Sequence, residues 1–372
     1  MKPCIADLLE QGPPRPIPAL AAVVIYGAGY TGQLLARTLR AKKIEVVAFL
    51  DRGAIPGQIR DGTPVLLPAE AASLTLMPVI VAVFNRERNA RYRDIAISLH
   101  EQGFATVYSL EQYYINSPEG FPDLYWLTDP AFYKGHGAEL EAASQLWADE
   151  KSRQLYCALL RLRLTGEDEL PEPVPHLQYM PEDLPLLPPP YRFVDIGAYD
   201  GDSLSALRQR KGLFESIFAF EPDMNNFRAL VHRIETEGPF STGVTCLFPC
   251  GVGQQCNTVS FFSDGSEAAR VTLEPAKKTV QTPIIPIDEV LYQTQPTYIK
   301  IDVEGFEEEA LRGLKKMLER DRPMLALCVY HKPSDFFTLP LLLASWNYPA
   351  DFYLRSHGEH TFDTVLYAIP KS

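Results

Sequence analysis

The sequence predicts an α/β protein of two doubly wound, Rossmann-like domains joined by a helical and Pro-rich connector. Two repeated patterns carry this. AAVVIYGAGYTGQLLARTLR near the start and FVDIGAYDGDS in the second half each read as a buried strand, a glycine-marked turn and a helix. Each is followed, about twenty residues on, by a second buried strand that ends in an acid, Asp51 after IEVVAFL and Glu221 after IFAF. A chain of 372 residues, 46% of them apolar, is also long enough for two domains at a prior of ~150 residues each. The expected divisions are a Pro-rich leader 1–18, a nucleotide-binding domain 19–116, a connector 117–190 and a second domain 191–372.

Composition narrows the partners. A formal net charge of -12 argues against nucleic acid or an anionic membrane as the main partner. No apolar run reaches the ~20 residues of a membrane helix, and Met1 to Gly12 lacks the basic start and apolar core of a secretory signal. A cytoplasmic protein is expected, and a homo-oligomer is compatible with the sequence. The six cysteines, Cys4, Cys157, Cys246, Cys250, Cys256 and Cys328, contain no CxxC pair. Cys246, Cys250 and Cys256 are close in sequence but have no histidine at finger spacing, which disfavours a metal site there.

In the first domain, Gly27, Gly29 and Gly32 occupy the GxGxxG positions, with Tyr30 and Thr31 between them, and Asp51 stands where a ribose-binding acid belongs. NAD is the ordinary ligand of that fingerprint. The alternative is that Gly29 and Gly32 only let helix and strand pack closely, leaving a scaffold domain. MPVIVAVFN predicts a further strand, YRDIAISLHEQGF an amphipathic helix closed by Gly103, and ATVYSLEQYY the last strand. Gly137 to Arg163 predicts one long helix broken near Asp149. Its run ADEKSR either offers charges to a site or is a solvated face. Eight prolines between Pro171 and Pro190 make the next stretch extended, with Tyr179 and Met180 placed to drape over a pocket.

The second domain carries the chemistry. In FVDIGAYDGDS, Gly197 and Gly201 flank the turn, Asp195 precedes it, and Asp202 and Ser203 can cap the following helix. YIKIDVEGFE places Ile299, Ile301 and Val303 on one strand face and Lys300, Asp302 and Glu304 on the other. Charges on a central parallel strand are costly unless paired, so three in alternation point to a site. The bland alternative is a Lys300 ion pair with helix capping by Glu304. His331 and Lys332 follow the apolar run MLALCVY and emerge at the same sheet edge as Asp302. A solvated loop histidine is the competing reading.

FVDIGAYDGDS, FAFEPD, YIKIDVEGFEEEALRG and the closing LYAIP resemble, in order, the FkbM family of S-adenosylmethionine-dependent O-methyltransferases, from Tyr191 to the end of the chain. The resemblance implies a class I methyltransferase fold. It implies a donor site of Asp195, Gly197, Ala198, Tyr199, Asp200, Gly201, Ser203, Glu221, Pro222, Cys250, Gly251 and Asp302. Asp195 would face the cationic methionine end and Glu221 the ribose hydroxyls. Cys250 stands where many methyltransferases carry an acid or serine, so backbone groups are expected to read the adenine. TVSFFSDGSEAARV resembles the family's substrate-side insertion, an exposed hairpin being the alternative. Through VIYGAGYTG, AFLDRG and GTPVL the first domain resembles nucleotide-sugar-binding domains attached to some sugar-modifying acyltransferases, which implies a nucleotide or nucleotide sugar there.

The resulting expectation is methyl transfer from S-adenosylmethionine to a hydroxyl of a sugar, glycan or natural-product acceptor. His331 is the first choice of general base, since its unperturbed pKa is near ~6.5, with Asp302 or Glu304 as second choice and Lys300 beside them. No metal is expected, because Lys300 would compete for the charge of Asp302 and Glu304. One rival is an NAD-linked or nucleotide-sugar-binding protein whose second half only binds S-adenosylmethionine. A Tyr-x-x-x-Lys pair, which an oxidoreductase of that kind would show, is missing from the first domain. A non-enzymatic binding module is the other.

Overall fold

The computed structural model describes residues 5–13, 16–87, 90–174, 178–210, 214–262, 270–271 and 279–371. The chain divides into two compact units. One comprises residues 1–144, 153–174 and 356–363, the other 145–152, 175–355 and 364–372.

The first unit follows a short α1 (Ile5–Leu9) with β1 (Ala22–Tyr26), α2 (Tyr30–Ala41), β2 (Glu45–Leu50), β3 (Ile59–Arg60), β4 (Thr63–Leu66), β5 (Val79–Val81), α3 (Tyr92–Glu101) and β6 (Val107–Ser109). Its sheet has the order β3-β4-β2-β1-β5-β6 and is parallel except for β3. Apolar residues alternate between two covered faces. Val23 and Ile25 pack with Leu35, Leu39 and Phe49, while Val24 and Tyr26 pack with Ile95, Leu99 and Phe104. A parallel sheet buried on both sides needs that uninterrupted apolar run.

ATVYSLEQYY does not form a strand throughout. The Ser109 hydroxyl accepts the Gln112 N–H and the Gln112 side chain accepts the Ser109 N–H, both at 3.0 Å. This capping box starts α4 (Leu110–Asn116) and ends the strand after three residues. After a short α5 (Pro130–Gly135), the helix expected over 137–163 is present and broken before Glu150, as α6 (Gly137–Ser144) and α7 (Glu150–Thr165). ADEKSR serves neither a site nor a merely solvated face. Asp149 lies 2.6 Å from the buried Arg355, whose guanidinium also meets the Ser152 hydroxyl at 2.9 Å, and Lys151 pairs with Asp183 at 2.7 Å.

The second unit holds β7 (Tyr191–Ile196), α8 (Asp202–Arg210), β8 (Phe214–Phe220), α9 (Met224–Glu237), β9 (Thr245–Phe248), β10 (Gly251–Val252), β11 (Asn257–Phe262), β12 (Arg270–Val271) and β13 (Thr279–Ile285). It continues with α10 (Ile287–Val290), β14 (Tyr298–Ile301), α11 (Glu307–Arg312), α12 (Lys315–Asp321), β15 (Met324–Cys328), α13 (Asp335–Ala344), β16 (Ala350–Ser356) and β17 (Thr364–Pro370). Seven strands form one sheet in the order β16-β17-β15-β14-β7-β8-β9, with β17 antiparallel to β15 and the five strands from β15 to β9 parallel. GVTCLFPCGVG is split, because β10 leaves this sheet and pairs with β13 in a second sheet of order β10-β13-β11-β12. In TVSFFSDGSEAARV, β11 and β12 pair antiparallel, and 263–269 lie outside the described residues. Strand order reverses between β7 and β14, and open α/β sheets bind ligands beyond the carboxyl ends of their strands at such a reversal. Among the described residues no helix is long and apolar enough to cross a membrane.

Candidate active site

Both halves of the motif pattern end at the strand-order reversal. β7 releases the chain into the turn Gly197 to Gly201, and β14 releases it into Asp302 to Gly305. The two are locked backbone to backbone, since the Asp302 N–H donates to the Ile196 carbonyl at 3.0 Å. Gly197 has φ +83, and a Cβ there would lie 1.8 Å from the Asp302 carbonyl oxygen. Its glycine is therefore demanded by the neighbouring strand end rather than by a ligand.

The register places Lys300 opposite Asp195. The Lys300 ammonium stands 3.0 Å from Asp195 Oδ1, donates to the Gly197 carbonyl at 2.6 Å and lies over the Tyr179 ring at 5.4 Å. Asp195 is 0% exposed and Lys300 2%. Burial pushes the Asp195 carboxyl up to about 6, less than it would without Lys300. Burial alone would lower the Lys300 pKa, but the attraction of Asp195 and Asp302 outweighs it and the pKa rises. The cation beside Asp195 is thus a side chain of the chain itself. This corrects its expected role against a ligand's cationic end, because a fully buried carboxylate needs its counter-charge within the protein.

Glu221 sits at the end of β8. Its two carboxylate oxygens each accept one backbone N–H at 2.8 Å, from Tyr199 and from Asp223. Each oxygen retains a further lone pair. Burial raises its pKa to about 7, against the lowering effect of those bonds. Tyr199 takes a positive φ of 49° to bring its N–H round to Glu221. Asp200 pairs with Arg233 at 2.5 Å and accepts the Asp202 N–H at 3.1 Å, so it braces the turn against α9. Ser203 opens α8, its N–H bonded to Asp202 at 2.6 Å. Ala198 is buried, Pro222 half-buried, and Gly251 packs so closely that a Cβ would lie 2.6 Å from Ile284. Cys250 is buried, which pushes its thiol up to about 11 and keeps it neutral. The turn, the braced acid and the apolar thiol are chemically suited to a nucleoside, with Glu221 rather than Asp195 as the acid that can receive hydroxyl donors.

Beyond β14 the sequence-predicted residues converge. His331, with a side chain 2% exposed, directs Nε2 at Asp302 Oδ1 (3.4 Å) and Glu304 Oε1 (3.6 Å), while Nδ1 meets Glu307 Oε1 at 2.7 Å. That same Glu307 oxygen accepts the N–H groups of Val303 and Gly305. Burial alone would lower the His331 pKa, but Glu307 and Glu304 attract its charged form and hold it well above the usual value. These carboxylates favour the charged ring over the free base that the sequence leads one to expect. Behind it lies Asp335, buried and pushed up to about 7 by burial and by Glu307.

Sequence reasoning did not assign Glu307, Asp335 or Cys328 to this cluster, and it placed Tyr179 only as a drape. The Tyr179 hydroxyl donates to Asp302 Oδ2 at 2.9 Å and lies 3.7 Å from Cys328 Sγ. The expected capping by Glu304 is absent, since α11 has no side-chain cap, and Glu307 instead bonds the N–H groups of the preceding loop. Lys300 makes its direct contact with Asp195, so its competition for Asp302, the ground for expecting no metal, is reduced to a longer-range attraction. Asp302, Glu304 and His331 each present a ligand-type atom, all within 4.8 Å of one another. Among the described residues Cys246, Cys250 and Cys256 form no such group.

The first unit's glycine turn is packed from within. Asp51 accepts the Ala28 N–H at 3.0 Å and the Gly53 N–H at 2.8 Å, and a Cβ on Gly32 would lie 1.9 Å from the Gly27 carbonyl oxygen. Gly27 has φ +103, Gly29 has open space around it, Tyr30 is exposed and Thr31 half-buried. Close packing of helix on strand accounts for Gly32 without a ligand.

No curated protein matches the chain. Among solved structures it is similar to the methyltransferase FkbM from Methylobacillus flagellatus KT, with 26% identity over 94% of this chain and 90% of that one, at a TM-score of 0.76. The family model of the methyltransferase FkbM domain matches residues 195–360, the stretch that begins at the buried Asp195 and contains Glu221, Asp302, Glu304, Glu307 and His331. The second half of the chain thus carries a domain similar to FkbM methyltransferases.

Proposed function

We propose that the protein is an S-adenosylmethionine-dependent O-methyltransferase acting on a hydroxyl of a sugar, glycan or natural-product acceptor. The observation that carries this reading is the pairing, at one strand-order reversal, of a doubly braced Glu221 with the Asp302, Glu304 and His331 cluster. When bound, the donor supplies a methyl group on a sulfonium: its C–S bond breaks as the C–O bond forms, the sulfur keeps the electron pair, and the hydroxyl proton is released.

Glu221 receives the ribose hydroxyls on the lone pairs its backbone bonds leave free. The Gly197 to Gly201 turn sets their distance. Lys300 holds the two loops in register by bonding Asp195 and the Gly197 carbonyl together. On the acceptor side, the half-buried carboxylates of Asp302 and Glu304 face the substrate hydroxyl and can take its proton, while His331 is kept in place by Glu307. Alignment supplies most of the rate for such an in-line transfer.

Titration calorimetry with S-adenosylmethionine, followed by detection of S-adenosylhomocysteine across a panel of hydroxylated acceptors, tests this. Wild type should bind the donor, and Glu221→Ala should weaken it about tenfold or more, consistent with ~1.5–3 kcal/mol for hydrogen bonds to a charged group. Absence of donor binding at millimolar concentration would overturn the reading.

A further inference from the structure

The geometry points to a divalent-cation site of the Mg2+ and Mn2+ class formed by Asp302 Oδ1, Glu304 Oε1 and His331 Nε2, with its open side toward the acceptor hydroxyl. It rests on the methyltransferase reading for its role, though not for its existence.

Three features carry it. The first is spacing. With metal–ligand bonds of ~2.1 Å, neighbouring ligand atoms sit roughly 3.0–3.4 Å apart. Nε2 lies 3.4 Å from Asp302 Oδ1 and 3.6 Å from Glu304 Oε1, so two of the three spacings are within a few tenths of an ångström of such a set, and all three fall within 4.8 Å. The second is the outer shell. Metal-binding side chains are characteristically held on their far atoms, and here two of the three are: Glu307 takes His331 Nδ1 at 2.7 Å, and the Tyr179 hydroxyl takes Asp302 Oδ2 at 2.9 Å. Both supports come from outside the ligand set, and both turn the inner atoms toward one point. The third is charge. Carboxylates of Asp302, Glu304 and Glu307 meet one imidazole, and the buried Lys300 makes its direct contact with Asp195 and attracts Asp302 only at longer range.

Two carboxylate oxygens and one imidazole nitrogen favour a hard cation over the soft metals that thiolates select. Three protein ligands leave positions for water or a substrate oxygen, as catalytic sites do. A bound cation would displace the proton on His331 Nε2 and lower the pKa of a hydroxyl at its open side, so that Asp302 and Glu304, as ligands, would not have to act as the base.

The test uses the full-length protein, stripped with a chelator, and Mn2+ followed by electron paramagnetic resonance. Wild type should bind one Mn2+ saturably below millimolar concentration. Asp302→Asn and Glu304→Gln should each weaken it at least tenfold, and Tyr179→Phe by about 10- to 100-fold, the usual effect of removing an outer-shell partner. Should Asp302→Asn fail to fold, Glu304→Gln on a partly exposed residue and Tyr179→Phe remain diagnostic. Calorimetry of S-adenosylmethionine on the stripped protein runs in parallel. Mn2+ binding without donor binding would sink the methyltransferase reading and leave the metal site standing. No saturable Mn2+ binding, or equal affinity in all variants, would overturn the site even if the donor binds.

Discussion

Replacing Asp195 by alanine tests the central structural claim, that this acid exists to neutralise Lys300. The buried ammonium would keep the Gly197 carbonyl, the Tyr179 ring and the longer-range attraction of Asp302, with no anion at the vacated 3.0 Å contact. Breaking a buried pair from one side costs ~3–5 kcal/mol, whereas replacing both members by groups of similar volume is often neutral. At roughly 2–4 °C per kcal/mol for a domain of about 150–250 residues, Asp195→Ala should lower the melting temperature by about 6–20 °C. Lys300→Met together with Asp195→Asn should recover most of that loss. The coupling in the double-mutant cycle should be about 3 kcal/mol. Differential scanning calorimetry gives the stabilities, and titration with S-adenosylmethionine gives donor affinity on the same samples. A single variant melting within about 2 °C of wild type would refute the argument. So would a double variant of wild-type stability that no longer binds donor, since that would return Asp195 to direct contact with the ligand.

Two pH-dependent effects follow from other buried groups. Burial raises the Glu221 carboxyl to about 7, and only its ionised form accepts two ribose hydroxyls, so donor affinity should rise about tenfold between pH 6 and 8. Glu221→Gln should flatten that profile, and a wild-type affinity independent of pH would contradict the ribose assignment. In the first unit, buried His360 lies 2.7 Å from Glu111 and, although burial opposes its charge, that carboxylate raises its pKa to about 9. A raised histidine contributes stability that is fully present below its unfolded pKa of ~6.5 and is lost as pH climbs through 9. The unfolding free energy from urea titration should therefore fall between pH 7 and 10, by up to ~3 kcal/mol, and the midpoint with it, less steeply in His360→Gln. A midpoint constant over that range would show that the pair does not couple to folding.

Much of this protein is local and was legible as such. Strand, glycine turn and helix follow one another within a dozen residues, so FVDIGAYDGDS and VIYGAGYTG announced both sheets, and IKIDVEG announced a charged strand end. Continuous apolar runs identified the buried strands because the two parallel sheets are covered on both faces. Proximity of His331 to Asp302 was also readable, since residues that end adjacent parallel strands emerge at one edge.

Partnerships were not readable, because they depend on register and on chain closure. Lys300 could have served Asp302, Glu304 or Asp195 on sequence alone. The alignment of β14 with β7 puts it opposite Asp195, which takes its direct contact, while Asp302 and Glu304 meet His331. Glu307 carried no signal in the sequence, and only the fold places its carboxylate on the His331 ring. Tyr179 reaches Asp302 across 123 residues from a proline-rich stretch whose composition says only that it is extended. A charge in a folded protein is assigned by whichever opposite charge the tertiary structure brings near it after water is removed. Local pattern fixes which groups lie at the edge of the sheet. Packing alone decides which of them remain available to a ligand.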